Sequence, residues 1–479
     1  MGNSALGLAA LSACLLVGTL ATAQNQTMGS SANPFWGSVT AAPLTDETVK
    51  LSLDGAIELG LRNNLGLKEA EAGKKTLEGQ KKQALQLFLP NISLVGDTGT
   101  HQTNLAQYGF TPSVMKQFAS LMGSSSSLAG MSFVTKDELT DGKIQFSQVL
   151  FSGPVIAGWK AAGAADRAAH FEVTRSRGEV VQQVATAYLY ALAAEAEVSQ
   201  AQAQLTTAQE LERQAVAAHE AGVAANLDEL RAKVARQARE VALIGARNSY
   251  EKSLIRLKRE IGIDPGQKLQ LTDPAPYSEL AAQDLNELKV TAYRSRQDYQ
   301  KLTNEVEEMK AIHVAYRAQR MPTLAFGGQY AVSHVNGVGA NGNFVAVGSL
   351  TVPLMREARL RGDVAVAAAQ KRATEAQLAD LRTMIEEQLR AALLDIDAGS
   401  QLVDVARSNV ELATRALADE KDRVSSGVDD NLPLVEAQST LAQAQSNQIE
   451  CLFQFNVAKL ELARATGLLE TQYRAYLGR

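Results

Sequence analysis

The sequence predicts a mainly α chain with a small β part: long antiparallel α-helical coiled-coil hairpins joined to four strands. Three observations carry that prediction. The 11 prolines of the 479 residues are very unevenly spaced, with none between Pro154 and Pro265, between Pro353 and Pro433, or after Pro433. Proline inside a helix costs about 3 kcal/mol, so those windows permit very long helices. Within them the apolar residues advance by three or four, as in Leu378, Leu381, Ile385, Leu389, Ala392 and Ile396, which is the helical period. From Ala157 to Ala246, 27 of 90 residues are alanine, the best helix former and small enough to let helices approach closely.

Taken in order, Ala5 to Leu20 form an apolar run closed by Ala21-Thr22-Ala23, which reads as a signal peptide over 1–23. Leu11-Ser12-Ala13-Cys14 is a competing lipidation motif; with Cys14 removed, Cys451 is the one cysteine left and no internal disulfide can form. An extended segment, 24–50, follows. No later stretch holds eighteen consecutive apolar residues, so a helical transporter is excluded. Helices are expected at about 66–89, 158–221, 227–262, 297–320, 357–425 and 434–466, ahead of a tail at 469–479.

Where the prolines cluster the period falls to two. Leu324, Phe326, Gly328, Tyr330 and Val332 share one face, and Ala325, Gly327, Gln329, Ala331 and Ser333 the other. Ile144 to Phe151 alternates less cleanly, Ile92 and Leu94 open a further segment, and Phe344 to Pro353 is the fourth. Four strands of about ten residues in two hairpins follow. Pro90, Pro154, Pro322 and Pro353 mark the strand–helix junctions. Pro433 sits in a first helical turn, where its missing N–H is harmless.

The chain reads as one duplicated unit, 51–283 and 284–468. The tip glycines Gly222 and Gly427 are 205 residues apart, as are Gly262 and Gly467, and Asn226 and Asn431 each follow their tip glycine by four. The offset fails between Pro90 and Pro154, where the first copy carries about 33 extra residues including Gly123-Ser124-Ser125-Ser126-Ser127; a surface insertion costs little. By length, each long helix can pair with two shorter ones stacked end to end. The helix at 158–221 would take 227–262 and 297–320; that at 357–425 would take 434–466 and 66–89.

Strands with an apolar outer face and a small or polar inner face suit an outer-membrane barrel. Four cannot close one, and open edges are not tolerated in lipid; three chains would supply twelve strands. An ordinary sheet capping a coiled coil is the competing reading, and with it a periplasmic scaffold or tether without a pore.

Leu51-Ser52-Leu53-Asp54-Gly55-Ala56-Ile57-Glu58, continuing to Arg62-Asn63-Asn64-Leu65, has Ser52 placed to cap a helix with Asp54 in its first turn. Asp284-Leu285-Asn286-Glu287 has capping-box spacing and continues to Arg296-Gln297-Asp298-Tyr299. With Phe88-Leu89-Pro90 and the two Gly-x-x-x-Asn-Leu tips, these motifs resemble the TolC-like outer membrane efflux protein family over about residues 45–468. The family's Asn-Arg-Pro-Asp-Leu is matched at 296–299 without its proline. The resemblance implies a homotrimer with a 12-stranded β-barrel in the outer membrane, in contact with its lipid, and a helical tunnel in the periplasm. It implies an exit duct of a tripartite efflux or type I secretion system, partnered by a periplasmic adaptor and an inner-membrane pump.

Candidates for a periplasmic gate are the acids at the tips: Asp228 and Glu229 at the first, Asp429, Asp430 and Glu436 at the second. Three-fold symmetry turns a pore-facing carboxylate into a ring that attracts cations; a solvated charge favoured by the helix dipole is the plainer reading of each. In the family's best-studied branch two aspartates form such rings, at positions that match Pro433 and Glu436, so one carboxylate of the pair is kept here.

Other chemistry is not expected. The net charge of −5 argues against nucleic acid. Gly337-Val338-Gly339-Ala340-Asn341-Gly342 spells a dinucleotide motif but lies between strands, so a hairpin turn is the better reading. The five histidines (101, 170, 219, 313, 334) lack metal-ligand spacing, no nucleophile–base set stands out, and no cofactor, metal or enzymatic activity is expected. Tyr188 and Tyr190 read as packing groups.

Overall fold

The computed structural model describes residues 33–40, 44–121, 134–222, 225–274, 276–280, 283–335, 339–354, 356–426 and 431–478. The expected signal peptide, Cys14, the serine run at 123–127 and the second-tip residues Gly427, Asp429 and Asp430 lie outside them. The elements are β1 Val49–Leu51, α1 Leu53–Asn63, α2 Leu65–Gln86, β2 Asn91–Asn104, α3 Pro112–Leu121 and β3 Val134–Phe151. There follow α4 Gly153–Glu220, α5 Asn226–Ile261, β4 Leu269–Leu271, α6 Leu285–Ser295 and α7 Gln297–Ala318. The chain ends with β5 Thr323–Val335, β6 Gly339–Thr351, α8 Glu357–Ser425, α9 Asn431–Ala465 and α10 Leu469–Tyr476.

The two long helices have 68 and 69 residues, about 100 Å each at 1.5 Å per residue. Their partners also match: 36 residues in α5 and 35 in α9, 22 in each of α2 and α7, 11 in each of α1 and α6. The first long helix starts five residues before its expected position, because Ser152 precedes a first turn in which Pro154 is tolerated.

Expected pairing holds for α4, which packs on α5 along one part and α7 along another. It fails for α2: this helix packs on α4, while α8 packs on α9 and α7. Matching helix lengths cannot distinguish a partner in the same chain from one in a neighbouring copy.

The large sheet has the order β2-β3-β5-β6, all antiparallel. Its strands have 14, 18, 13 and 13 residues, longer than the ten expected. Partners opposite one another share a face, so the register Ile92↔Phe146, Leu94↔Ile144, Ile144↔Tyr330 and Tyr330↔Phe344 defines one continuous apolar face. Phe146 and Phe326 meet on it at 5.8 Å. Ser93, Gln145, Gln329 and Asn343 fall on the other face, with Val345 among them. Leu94 and Phe344 are 79% and 72% exposed: this face has nothing of its own chain to bury it.

The core lies at mid-length, where a girdle of α1, α6, α10 and the parallel pair β1–β4 packs on the helices. Val180, Val181, Val184 and Tyr188 of α4 meet Leu53, Ala56 and Ile57 of α1 there, with Leu257 and Ile261 of α5 and Leu460 and Leu462 of α9. The expected tail, 469–479, belongs to this core: α10 buries Leu469, Tyr473 and Tyr476. The segment assigned as merely extended contributes a short 3-10 turn, Pro34–Trp36, and most of β1.

Candidate functional site

The first tip forms where α4 gives way to α5. Gly222 takes φ +74°, a left-handed conformation natural to glycine, and its N–H donates to the His219 carbonyl at 2.9 Å. Asn226 opens α5 as its first residue and is exposed; Ala225, just before it, makes no side-chain cap. Asp228 and Glu229 occupy the first turn, where the helix dipole favours a negative charge. Both are partnered: Asp228 lies 3.4 Å from Arg231, and Glu229 lies 4.0 Å from His219 on α4.

At the second tip Asn431 opens α9 and Pro433 sits in its first turn. Glu436 is exposed, one turn into the helix. Leu434 turns inward with Val435 and, with Gln438, packs on Ala208 and Leu211 of α4 and Ala232 and Ala235 of α5. The start of α9 is therefore seated in the groove of the first hairpin. Gln438 is only 4% exposed and its Nε2 has no hydrogen-bond partner. Nothing in the sequence marks it, since a glutamine in a helical pattern reads as solvated. The described acids Asp228, Glu229 and Glu436 are thus at the ends of α5 and α9, as expected.

The seams differ in chemistry. Within the first hairpin Ala201, Leu205 and Leu243 form an apolar cluster. Within the second, Phe455 of α9 fits against Gly399 of α8, whose added Cβ would stand 3.1 Å from the ring. Between the hairpins the α4–α9 seam carries a series of polar contacts beside the apolar ones at Leu434 and at Tyr190 and Phe453. Gln182 donates to Glu461, Gln200 to Gln445, Gln204 to Gln445 at 3.3 Å, and Ser446 to Glu197 at 3.1 Å. Such bonds are each worth about 0.5–1.5 kcal/mol and water can replace them.

Above the seams the girdle fixes the two hairpins in the same way. Gly262, after α5, has φ +78° and abuts Asn63 and the Val39 carbonyl; Gly467, after α9, has φ +76° and abuts Ser295 and Arg296. Asn64 caps α2, accepting the Leu67 N–H at 3.2 Å. Arg296 holds the equivalent corner: it pairs with Asp298 at 2.6 Å and donates to Gln388 of α8 at 2.7 Å and to the Ala465 carbonyl at 3.2 Å. Burial pushes the Asp298 carboxyl up, but the hydrogen bonds and charge of Arg296 outweigh it and hold the group below its usual value. Tyr188, expected as packing, is buried with its hydroxyl 3.0 Å from the Leu51 carbonyl and 3.1 Å from Asp273, tying β1 to α4. Tyr190 stacks edge-on with Phe453 at 5.7 Å.

The glycine-rich motif falls at the β5–β6 hairpin, whose last pair is Val335↔Gly339, with Gly339 at φ +86°; Gly337 and Val338 lie outside the described residues. Among the described residues no group of three or more His, Cys, Asp or Glu could hold a metal, and no helix is long and apolar enough to cross a membrane.

The family model for outer membrane efflux proteins matches residues 56–262 and 288–468. The chain belongs to the outer membrane efflux protein family. Among solved structures, this efflux protein is similar to a membrane protein from Pseudomonas aeruginosa, with a TM-score of 0.74 and 18% identity, covering 90% of this chain and 98% of that one. It is also similar to the Campylobacter jejuni CmeC outer membrane channel (TM-score 0.72, 15% identity, 95% of each chain). The VceC outer membrane protein of Vibrio cholerae matches with TM-score 0.72 and 18% identity over 87% of this chain and 96% of that one. A search of curated proteins finds no match. Family and fold place this efflux protein in the outer membrane as an exit duct of tripartite efflux systems; the family and its structural relatives are channels rather than enzymes.

Proposed function

We propose that three copies of the chain close into one conduit, gated at the tips and passively passing substrates delivered by an inner-membrane pump through a periplasmic adaptor. The observation that carries the reading is the pair of open edges. Strand β2 and helices α2 and α5 lie toward one flank, while β6 and α8 lie toward the other. Joining β6 and α8 of one copy to β2, α2 and α5 of the next is a head-to-tail contact that closes as a ring, and three copies give twelve strands without a free edge in lipid.

The helices support the same joint. On α5, Leu230, Val234, Val241 and Ile244 are exposed at steps of four, seven and three. On α8, Leu402, Val405 and Leu412 are exposed at steps of three and seven. Two such stripes bury one another as a coiled-coil seam. The repeats 51–283 and 284–468 would then alternate around the tunnel. Opening is a slide of the α8–α9 hairpin along the α4–α9 seam, whose polar contacts water can replace. The adaptor supplies the bias, and the pump supplies the direction of transport. The same duct could serve a type I secretion pump.

Two measurements in planar bilayers test the gate. Replacing Glu436 and Asp429 together by alanine removes candidate cation-attracting rings, so cation preference is expected to fall; unchanged preference and conductance reject these acids as pore-lining. Gln438→Leu exchanges a buried unpaired amide for an apolar side chain of similar length. An unpaired buried polar group costs about 1–3 kcal/mol, a cost relieved when the tip opens to water. Spontaneous openings of this variant are expected to be at least about fivefold rarer; equal or more frequent opening excludes Gln438 as part of the closed contact.

A further inference from the structure

Just below the sheet, a trough of about 760 Å³ runs between α2 and α4. Its floor and upper wall are apolar: Leu85, Trp159 and Phe171 line it, and Trp159 meets Phe88 edge-on at 6.3 Å. Its rim is cationic, with Lys74, Lys81, Lys82 and Arg167 against two carboxylates, Glu78 and Asp166. Lys74 pairs with Glu78 at 3.5 Å, Lys81 with Asp166 at 2.7 Å, and Arg167 donates to Asn304 at 2.9 Å; four cations against two carboxylates leave the rim net positive.

The trough has a defined depth and a defined side. Trp159 lies six residues after Gly153, the first residue of α4, and so about 9 Å below the start of that helix at 1.5 Å per residue, while Leu85 lies six residues before Asn91, where β2 begins. Steps of three and four lead along α4 from Trp159 through Gly163, Asp166, His170, Val173 and Arg177 to Val180 and Val184. At Val180 and Val184 that face is covered by α1, whose Gly60 packs against both. The girdle must lie outside any open tunnel, so the trough also faces outward, at the level where the apolar face of the sheet ends. It is lined by residues of one chain alone, from α2 and α4.

Resting on the reading of the chain as a membrane-embedded ring, we infer that this trough is a binding site for an anionic phospholipid of the periplasmic leaflet. The headgroup phosphodiester lies against Lys74, Lys82 and Arg167, and the acyl chains run up over Leu85 and Trp159 toward the strands. Charge complementarity selects this occupant: a cationic rim with an aromatic wall at headgroup depth matches an anionic amphiphile. Such a lipid would fix the angle between the barrel and the helices, which α2 and α4 both cross here.

The chain has two tryptophans, so a Trp36→Phe background leaves Trp159 as the reporter. Trimers of this variant are reconstituted in phosphatidylcholine vesicles containing chain-brominated phosphatidylglycerol or chain-brominated phosphatidylcholine at equal mole fraction. Trp159 quenching is expected to favour phosphatidylglycerol by roughly fivefold or more, given what a lysine near an anionic headgroup is worth. Replacing Lys74 and Lys82 by glutamine is expected to abolish the preference. Equal quenching by both lipids, or a preference that survives those replacements, overturns the site. Displacement of phosphatidylglycerol by millimolar inorganic phosphate also overturns it, in favour of a general anion site. Conductance of the same preparations separates the two readings: conducting trimers without a preference reject the lipid site alone, whereas vesicles that never conduct reject the channel.

Discussion

Gly467→Ala and Gly262→Ala are expected to destabilise the assembled protein by about 2–5 kcal/mol each, while Gly222→Ala costs about 1–2 kcal/mol. All three glycines have φ between +74° and +78°, a conformation that costs an alanine roughly 1–2 kcal/mol. Their surroundings differ. A Cβ on Gly222 meets nothing within 4 Å. A Cβ on Gly467 would stand 2.7 Å from the Arg296 nitrogen and the Ser295 carbonyl carbon, and one on Gly262 would stand 2.8 Å from the Val39 carbonyl oxygen. Backbone atoms cannot rotate aside, so overpacking adds about 1–3 kcal/mol. The corners they block are the starts of α2 and α7, so strain there is transmitted into the girdle that holds both hairpins. Urea midpoints of the detergent-solubilised protein provide the check. If Gly467→Ala is as mild as Gly222→Ala, the close fit at the girdle corners is not what orients the hairpins.

Those corners also show what a sequence can and cannot disclose. The helices were legible because proline windows and alanine content constrain the backbone directly, and α4, α5, α8 and α9 end within a few residues of where those signals stop. Strand length was not. The far ends of β2 and β3, around Thr98 to Asn104 and Val134 to Thr140, pair through their backbones without an alternating apolar face, so the two-residue period dies out before the strand does. α10 has a faint signal of its own: Leu469, Tyr473 and Tyr476 recur at helical spacing, but over only eight residues. The tip acids were legible by their place after the tip glycines. Their ion-pair partners Arg231 and His219, and the burial of Gln438, depend on how helices come together, which no single-helix pattern encodes. The same holds for Lys459.

Lys459→Met is expected to remove a pH dependence of stability worth about 3 kcal/mol. Lys459 has no exposed surface. Its Nζ donates to the Ser278 carbonyl, lies 3.3 Å from the Ser278 hydroxyl and sits 4.3 Å above the Phe455 ring. Burial lowers its pKa to about 8, against about 10.4 in an unfolded chain. Below pH 8 both states carry the proton, and the folded state bears the cost of a buried ammonium. Between about pH 8 and 10.4 the unfolded chain binds more protons than the folded one, so stability rises with pH through that window. Methionine has similar reach and no proton, so its variant lacks that rise. Urea midpoints of both proteins at pH 7, 8, 9 and 10.5 give the comparison, and parallel curves would show that Lys459 does not titrate in this range. A buried cation at a cost to stability is explained by what it holds. Asn456 donates to the Pro276 carbonyl at 2.8 Å, and Arg407 of α8 lies 4.7 Å over the Tyr277 ring. Together with Lys459 they bind the link between the two halves of the chain to the second hairpin. Loss of the ammonium is therefore expected to raise protease cleavage near Ser278 even at pH 7, where the variant is relieved of the burial cost; that combination distinguishes a tether from a mere core position.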